Sequence, residues 1–311
     1  MRVGVIETAG LTKSYPRVTA LDSLDVSVGE GVTGLVGANG AGKSTLIKIL
    51  LGLVPATSGT ARVLDLDVAS EGGRIRSLVG YMPEHDCLPA DVSASDLVVH
   101  LGQMSGLPYA AARERTADVL RHVGLAEERY RPIGGYSTGM KQRVKLAQAL
   151  VHHPHLVLLD EPTNGLDPAA RDDMLSLVRR IGTEFGIAVL VTSHLLGELE
   201  RISDHVVVLD SGRLLQSSAT TDFMHATGTL IVEVDGRLDA DRLLGQALVD
   251  AGLRARPNGR LVEVEVDDES TYDVVRDLTA DLGLGLVRMQ ERHHRIEDVF
   301  REGGAGSVQP V

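Results

Sequence analysis

The sequence predicts an α/β fold with a mainly parallel core sheet, followed by a small α+β domain. Three observations carry this expectation. Short Val/Leu/Ile runs alternate with longer helix-compatible stretches as far as about residue 217, the strand-like runs lapse between about 85 and 150, and the character changes after about 220. Apolar runs of four or five residues without period-two alternation mark strands covered on both faces, which is how parallel sheets are built.

Residues 32–36, 156–159, 188–191 and 206–209 are such runs, and their rhythm with helical stretches places them in one α/β layer. Residues 95–103, 110–123 and 140–152 read as helices, so the stretch of about 85–150 is expected to be a helical subdomain inserted in the sheet. Beyond 220, residues 230–234, 261–266 and 284–290 read as strands and 239–252 and 272–282 as helices. The expected domains are therefore 1–220 and 221–302. The remainder, 303–311, is Gly-rich and aperiodic and is expected to be disordered.

Composition narrows the function classes. At 311 residues, with 43% hydrophobic and 24% charged residues, the chain suits about two folded domains. Its net charge of −12 is opposite in sign to the footprint of a protein that grips nucleic acid by its phosphates, so no nucleic-acid partner is expected. From 221 onward there are 10 Arg, no Lys and 18 Asp or Glu, which leaves −8 of that charge on the second domain. No apolar run approaches the ~20 residues of a spanning helix, and Glu7 comes too early for a secretory signal. The single cysteine, Cys87, cannot form an intramolecular disulfide. A cytoplasmic protein is expected.

The chemistry begins at residues 37–44, Gly-Ala-Asn-Gly-Ala-Gly-Lys-Ser, which satisfy G-x-x-x-x-G-K-[ST] between an apolar strand and a helix candidate at 46–51. Glycines let successive N–H groups and the helix N-terminus point at phosphate oxygens, while a lysine adds positive charge near the β- and γ-phosphates. Gly37, Asn39, Gly40, Ala41, Gly42, Lys43, Ser44 and Thr45 are thus the expected ATP contacts, with the Ser44 hydroxyl placed for Mg2+. The apolar run at 156–159 then ends in Asp160 and Glu161. Two acids after a strand are ordinarily an exposed turn; downstream of a phosphate loop they read as a Mg2+ carboxylate, Asp160, and a group that orients or deprotonates water, Glu161.

Three further stretches resemble the ATP-binding cassette (ABC) ATPases. Residues 136–143, Tyr-Ser-Thr-Gly-Met-Lys-Gln-Arg, are similar to that family's signature motif, 164–168 to its D-loop, and Thr192-Ser193-His194 to its switch-histidine loop. Tyr81-Met82-Pro83-Glu84 falls at the Q-loop, and Tyr15 where an aromatic ring stacks on adenine. The resemblance covers about residues 3–217 and implies the P-loop NTPase fold of the ABC type, with an antiparallel N-terminal β part. It implies that Ser137, Thr138 and Gly139 meet the γ-phosphate held by a second chain, that His194 senses that phosphate, and that Asp167 couples the two sites. One copy of each motif implies a homodimer.

Two positions depart from the family pattern: Glu84 replaces a Gln and Thr138 replaces a Gly. Glu84 can still coordinate water or Mg2+, although its charge lies near the γ-phosphate. Both replacements resemble the type-2 exporters of drugs, antibiotics, lipids or polysaccharides, as does the short stretch at 296–300. The implied function is an ATP-hydrolysing exporter subunit, held at the inner face of the cell membrane by a separate integral membrane permease. The alternatives are a non-transport ABC ATPase, which resembles tandem or coiled-coil-split cassettes not present here, and a nucleotide-dependent regulatory switch. His152, His153 and His155 are expected to form a solvated turn, the 293–294 histidines a surface pair, residues 267–269 a solvated helix start, and Cys87 a small packing residue.

Overall fold

The protein, seen in a computed structural model, is described over residues 4–220, 226–236, 239–266 and 270–293. It divides into two compact units, Met1–Thr220 and Thr221–Val311. The first contains two sheets. Numbered in chain order, β1 (Ile6–Tyr15), β2 (Val18–Val28), β4 (Ser58–Val63) and β5 (Leu66–Asp67) form an antiparallel sheet in the order β2-β1-β4-β5. This is the antiparallel N-terminal part.

The core sheet has the order β10-β9-β3-β8-β7-β6, from β3 (Val32–Val36), β6 (Val79–Met82), β7 (Leu156–Asp160), β8 (Ala188–Ser193), β9 (His205–Asp210) and β10 (Arg213–Ala219). Every neighbouring pair is parallel except the β9–β10 hairpin. β3, β7 and β8 are buried at every position, which fits their mainly apolar sequences. Parallel pairing also aligns the strand ends: Val36 lies opposite Ser193, Asp160 opposite Thr192, and Met82 opposite Leu159. The segments leaving these four strands therefore emerge along one edge, where open α/β sheets place their ligands.

Helix α1 (Lys43–Leu50) follows β3, α2 (Gly72–Leu78) precedes β6, and α6 (Pro168–Thr183) and α7 (Leu196–Ile202) follow β7 and β8. The inserted helices are α3 (Ala94–Met104), α4 (Tyr109–His122) and α5 (Thr138–Leu150), packed on one another. Ser93 starts α3 as a cap, its hydroxyl accepting from Asp96 N at 3.1 Å.

In the second unit β11 (Ala226–Asp235), β12 (Ala255–Asn258), β13 (Leu261–Glu265) and β14 (Gly285–His293) make an antiparallel sheet ordered β12-β13-β11-β14. Its helices α8 (Ala240–Asp250) and α9 (Ser270–Asp281) supply Leu244, Leu248 and Val275 to a core shared with Leu230, Val232, Val262 and Val264. No helix among the described residues is long and apolar enough to cross a membrane. Residues 267–269, His294, 296–300 and 303–311 lie outside the described residues.

Two expectations are corrected. Cys87 is exposed rather than packed. His152 is not part of a solvated turn: its ring is half-buried, with Nε2 at 3.2 Å from the Val79 carbonyl, and burial lowers its pKa.

Candidate functional site

The loop from Gly37 to Gly42 turns the chain from β3 into α1 at close quarters. Gly42 has φ 105°, and a Cβ there would meet Ala20 O at 2.5 Å; one on Gly37 would meet Leu209 O at 2.6 Å. Neither position accepts another residue without moving backbone. Behind the loop, the buried Lys43 ammonium donates to Gly37 O at 2.6 Å.

The loop forms one wall of a cleft of about 310 Å³ lined by Ala20, residues 38–45, Glu84 and Glu161. The cleft thus gathers Asn39, Gly40, Ala41, Gly42, Lys43, Ser44, Thr45, Glu84 and Glu161 from the expected set. Asp160 and Glu161 are almost fully buried at the end of β7. Burial of two adjacent carboxylates is costly unless each is hydrogen-bonded or paired. Thr192 at the tip of β8 does part of this: its hydroxyl donates to Asp160 Oδ1 at 2.8 Å and accepts from Glu161 N at 2.9 Å. Ser44 Oγ lies 3.5 Å from the same Asp160 oxygen.

Glu161 adopts φ 50°, a left-handed backbone that turns its carboxylate toward the phosphate loop. Oε1 faces the Lys43 ammonium at 3.4 Å and Oε2 lies 2.9 Å from His194 Nδ1. Lys43, Glu161 and His194 therefore form one row of contacts from the phosphate loop to the β8 tip.

Among the described residues there is no cluster of three or more His, Cys, Asp or Glu able to hold a metal. Ser44 and Asp160 instead present one hydroxyl and one carboxylate, hard oxygens that suit Mg2+ when phosphates and water complete its shell. Glu84, the third expected metal ligand, lines the cleft but accepts from Asn164 Nδ2 at 3.3 Å. Near Asp160, burial pushes the Tyr81 phenol up to about 12, with the carboxylate charge adding to the effect.

The other expected residues do not line the cleft. Ser137 caps α5, accepting from Met140 N at 3.3 Å; Ser137 and Thr138 are exposed, so the turn stands at the surface. Thr138 occupies the first helical position, where a β-branched residue is accommodated. Asp167 is exposed and caps α6 through a bond from Ala170 N at 2.9 Å. Tyr15 ends β1, 40% exposed, with the Lys13 ammonium 5.1 Å over its ring.

Sequence reading missed three groups. Thr192 was visible only as part of a motif, with nothing to indicate that it bridges two acids. Glu198 is buried and receives the hydroxyls of Thr163 at 2.7 Å and Ser193 at 3.1 Å, with Arg171 Nε 3.1 Å from its other oxygen. It joins the segment after β7 to the segment after β8. Lys145 is buried in α5, and burial lowers its pKa.

Comparison with known proteins gives a consistent picture. The family model described as "ABC transporter" matches residues 21–164. The daunorubicin/doxorubicin resistance ATP-binding protein DrrA of Streptomyces peucetius is 36% identical over 249 residues, 78% of this chain and 75% of that protein. Nod factor export ATP-binding protein I of Ralstonia nicotianae is 32% identical over 300 residues, covering 95% and 92%. The solved structure of cbiO1 from Clostridium perfringens, part of the ABC transporter complex cbiONQ, superposes with a TM-score of 0.64 at 26% identity. That match covers 70% of this chain and 90% of the other.

Proposed function

The chain belongs to the ATP-binding proteins of ABC transporters, and from that premise we propose that it hydrolyses ATP as the motor subunit of an exporter, paired with a second copy of itself and with a separate membrane permease. The observation that carries the reading is the placement of Glu161 between Lys43 and His194 at the mouth of the phosphate loop. Drug resistance and Nod factor export, named for the relatives, support an exported organic cargo here.

In this reading the N–H groups of residues 39–45 and the Lys43 ammonium bind the β- and γ-phosphates. Ser44 and Asp160 would hold Mg2+, which when bound neutralises charge on the phosphate oxygens. Glu161 accepts a proton from, or orients, the water that attacks the γ-phosphate. His194, bonded to Glu161, holds that carboxylate in place and reaches the same phosphate. Tyr15 offers a face for the adenine ring. The exposed turn at Ser137, Thr138 and Gly139 lies off this chain's own cleft, which supports its use on the nucleotide of a partner, with the N-terminus of α5 as its anion-binding end. Asp167, at the start of α6, would stand at the same junction. The protein is then carried at the inner face of the membrane by its permease.

Glu161→Gln is expected to lower single-turnover hydrolysis by about 10²- to 10⁴-fold and to accumulate an ATP-bound dimer on size-exclusion chromatography with Mg2+. Unchanged turnover identifies a nucleotide-binding switch instead. A variant that stays monomeric refutes the shared-site arrangement.

A further inference from the structure

Glu84 reaches the cleft from a turn that is held from beneath by Lys145, a lysine 3% exposed and remote from any phosphate role described above. Its ammonium donates to the carbonyls of Pro83 and Glu84, both at 2.8 Å, and lies 3.4 Å from that of His85. One turn earlier on the same face of α5, Gln142 Nε2 donates to Asn164 O at 3.1 Å, and Asn164 Nδ2 donates in turn to Glu84 Oε1 at 3.3 Å. Two side chains of α5 thus clasp the 83–85 turn and the segment after β7, with the Glu84 carboxylate as the member that lines the cleft.

A buried ammonium is costly unless its hydrogens and its charge are both met. The three carbonyls meet the hydrogens. Burial lowers the Lys145 pKa, and the nearby Cys87, Asp86, Glu84 and Asp160 act against that, offsetting part of the cost. Seen from the cleft, the relation reverses: an acid at 84 repels an incoming polyanion, and the positive charge beneath it offsets that repulsion. We propose that Lys145 is a positioning residue whose buried charge allows an acid to stand at position 84 in a cleft that takes a nucleoside triphosphate. This rests on the ATP reading given above.

The two functions of Lys145, tethering the turn and balancing the acid, separate in a double-mutant cycle on the full-length protein. Binding of a fluorescent ATP analogue with Mg2+ is measured for wild type, Lys145→Met, Glu84→Gln and the double variant, with Lys43→Ala as the blank. Lys145→Met is expected to weaken binding about tenfold alone and less than about twofold in the Glu84→Gln background. In turnover, the change is expected in KM for ATP, with kcat held within about twofold. Lys145→Gln keeps donors for the carbonyls without the charge and is expected to follow Lys145→Met; it also serves if Lys145→Met does not fold. Equal weakening in both backgrounds makes Lys145 a scaffold residue alone and overturns the inference. A wild type no better than the Lys43→Ala blank overturns the ATP reading first, and the inference with it.

Discussion

Thr192 decides whether two buried carboxylates can sit side by side. Its hydroxyl serves as donor to Asp160 and acceptor from the Glu161 backbone in the same small volume. Thr192→Val keeps the shape and removes both bonds, leaving a buried N–H and a carboxylate oxygen short of a partner, so a loss of about 2 kcal/mol is expected. Denaturant titration should report that loss, together with a lower kcat as the acids loosen; Thr192→Ser should restore both. A Val variant as stable as wild type would show that the bridge contributes little. This residue also marks how far sequence reading reaches. Lys43, Ser44, Asp160 and Glu161 were legible because each lies in a contiguous pattern with its own chemistry. Thr192 and Lys145 act through partners that are remote along the chain, as Glu198 does through Thr163, and no local spacing encodes those partners.

At the scale of elements, β3, β7, β8 and β9 announced themselves because burial on both faces leaves few polar positions, most of them at the strand ends. The antiparallel strands β1, β2, β4 and β5 carry mixed burial and came only with the family resemblance. At the junction between α5 and β7, His153 and His155 are exposed as their polarity suggests, and His152 departs from them. There His152 turns inward, and its Nδ1 is buried with no hydrogen-bond partner. Burial lowers its folded pKa below the ordinary value near 6.5, so the unfolded chain takes up a proton first. The stabilising contribution is complete above about pH 6.5 and is lost as pH falls through the folded pKa. Melting curves at pH 7.5 and 5.5 should show a smaller acid-induced drop in Tm for His152→Gln than for wild type. Equal drops would mean that this ring does not titrate with unfolding.

For the molecule as a whole, the phosphate loop and the acids of β7 are brought together through β8, which pairs with β3, more than a hundred residues before it, on one side and with β7 on the other. The strand ends align, yet Glu161 completes the cleft only by adopting a backbone conformation, φ 50°, that side chains with a Cβ disfavour. Such a residue costs about 1 kcal/mol relative to glycine. The chain therefore carries a small permanent tension at the carboxylate proposed to activate water. Glu161→Gly and Glu161→Ala both remove the carboxylate, but only the glycine lets the chain relax. The glycine variant is expected to melt higher by the equivalent of about 1 kcal/mol while being equally inactive, and a higher-melting alanine variant would show that no tension is held there.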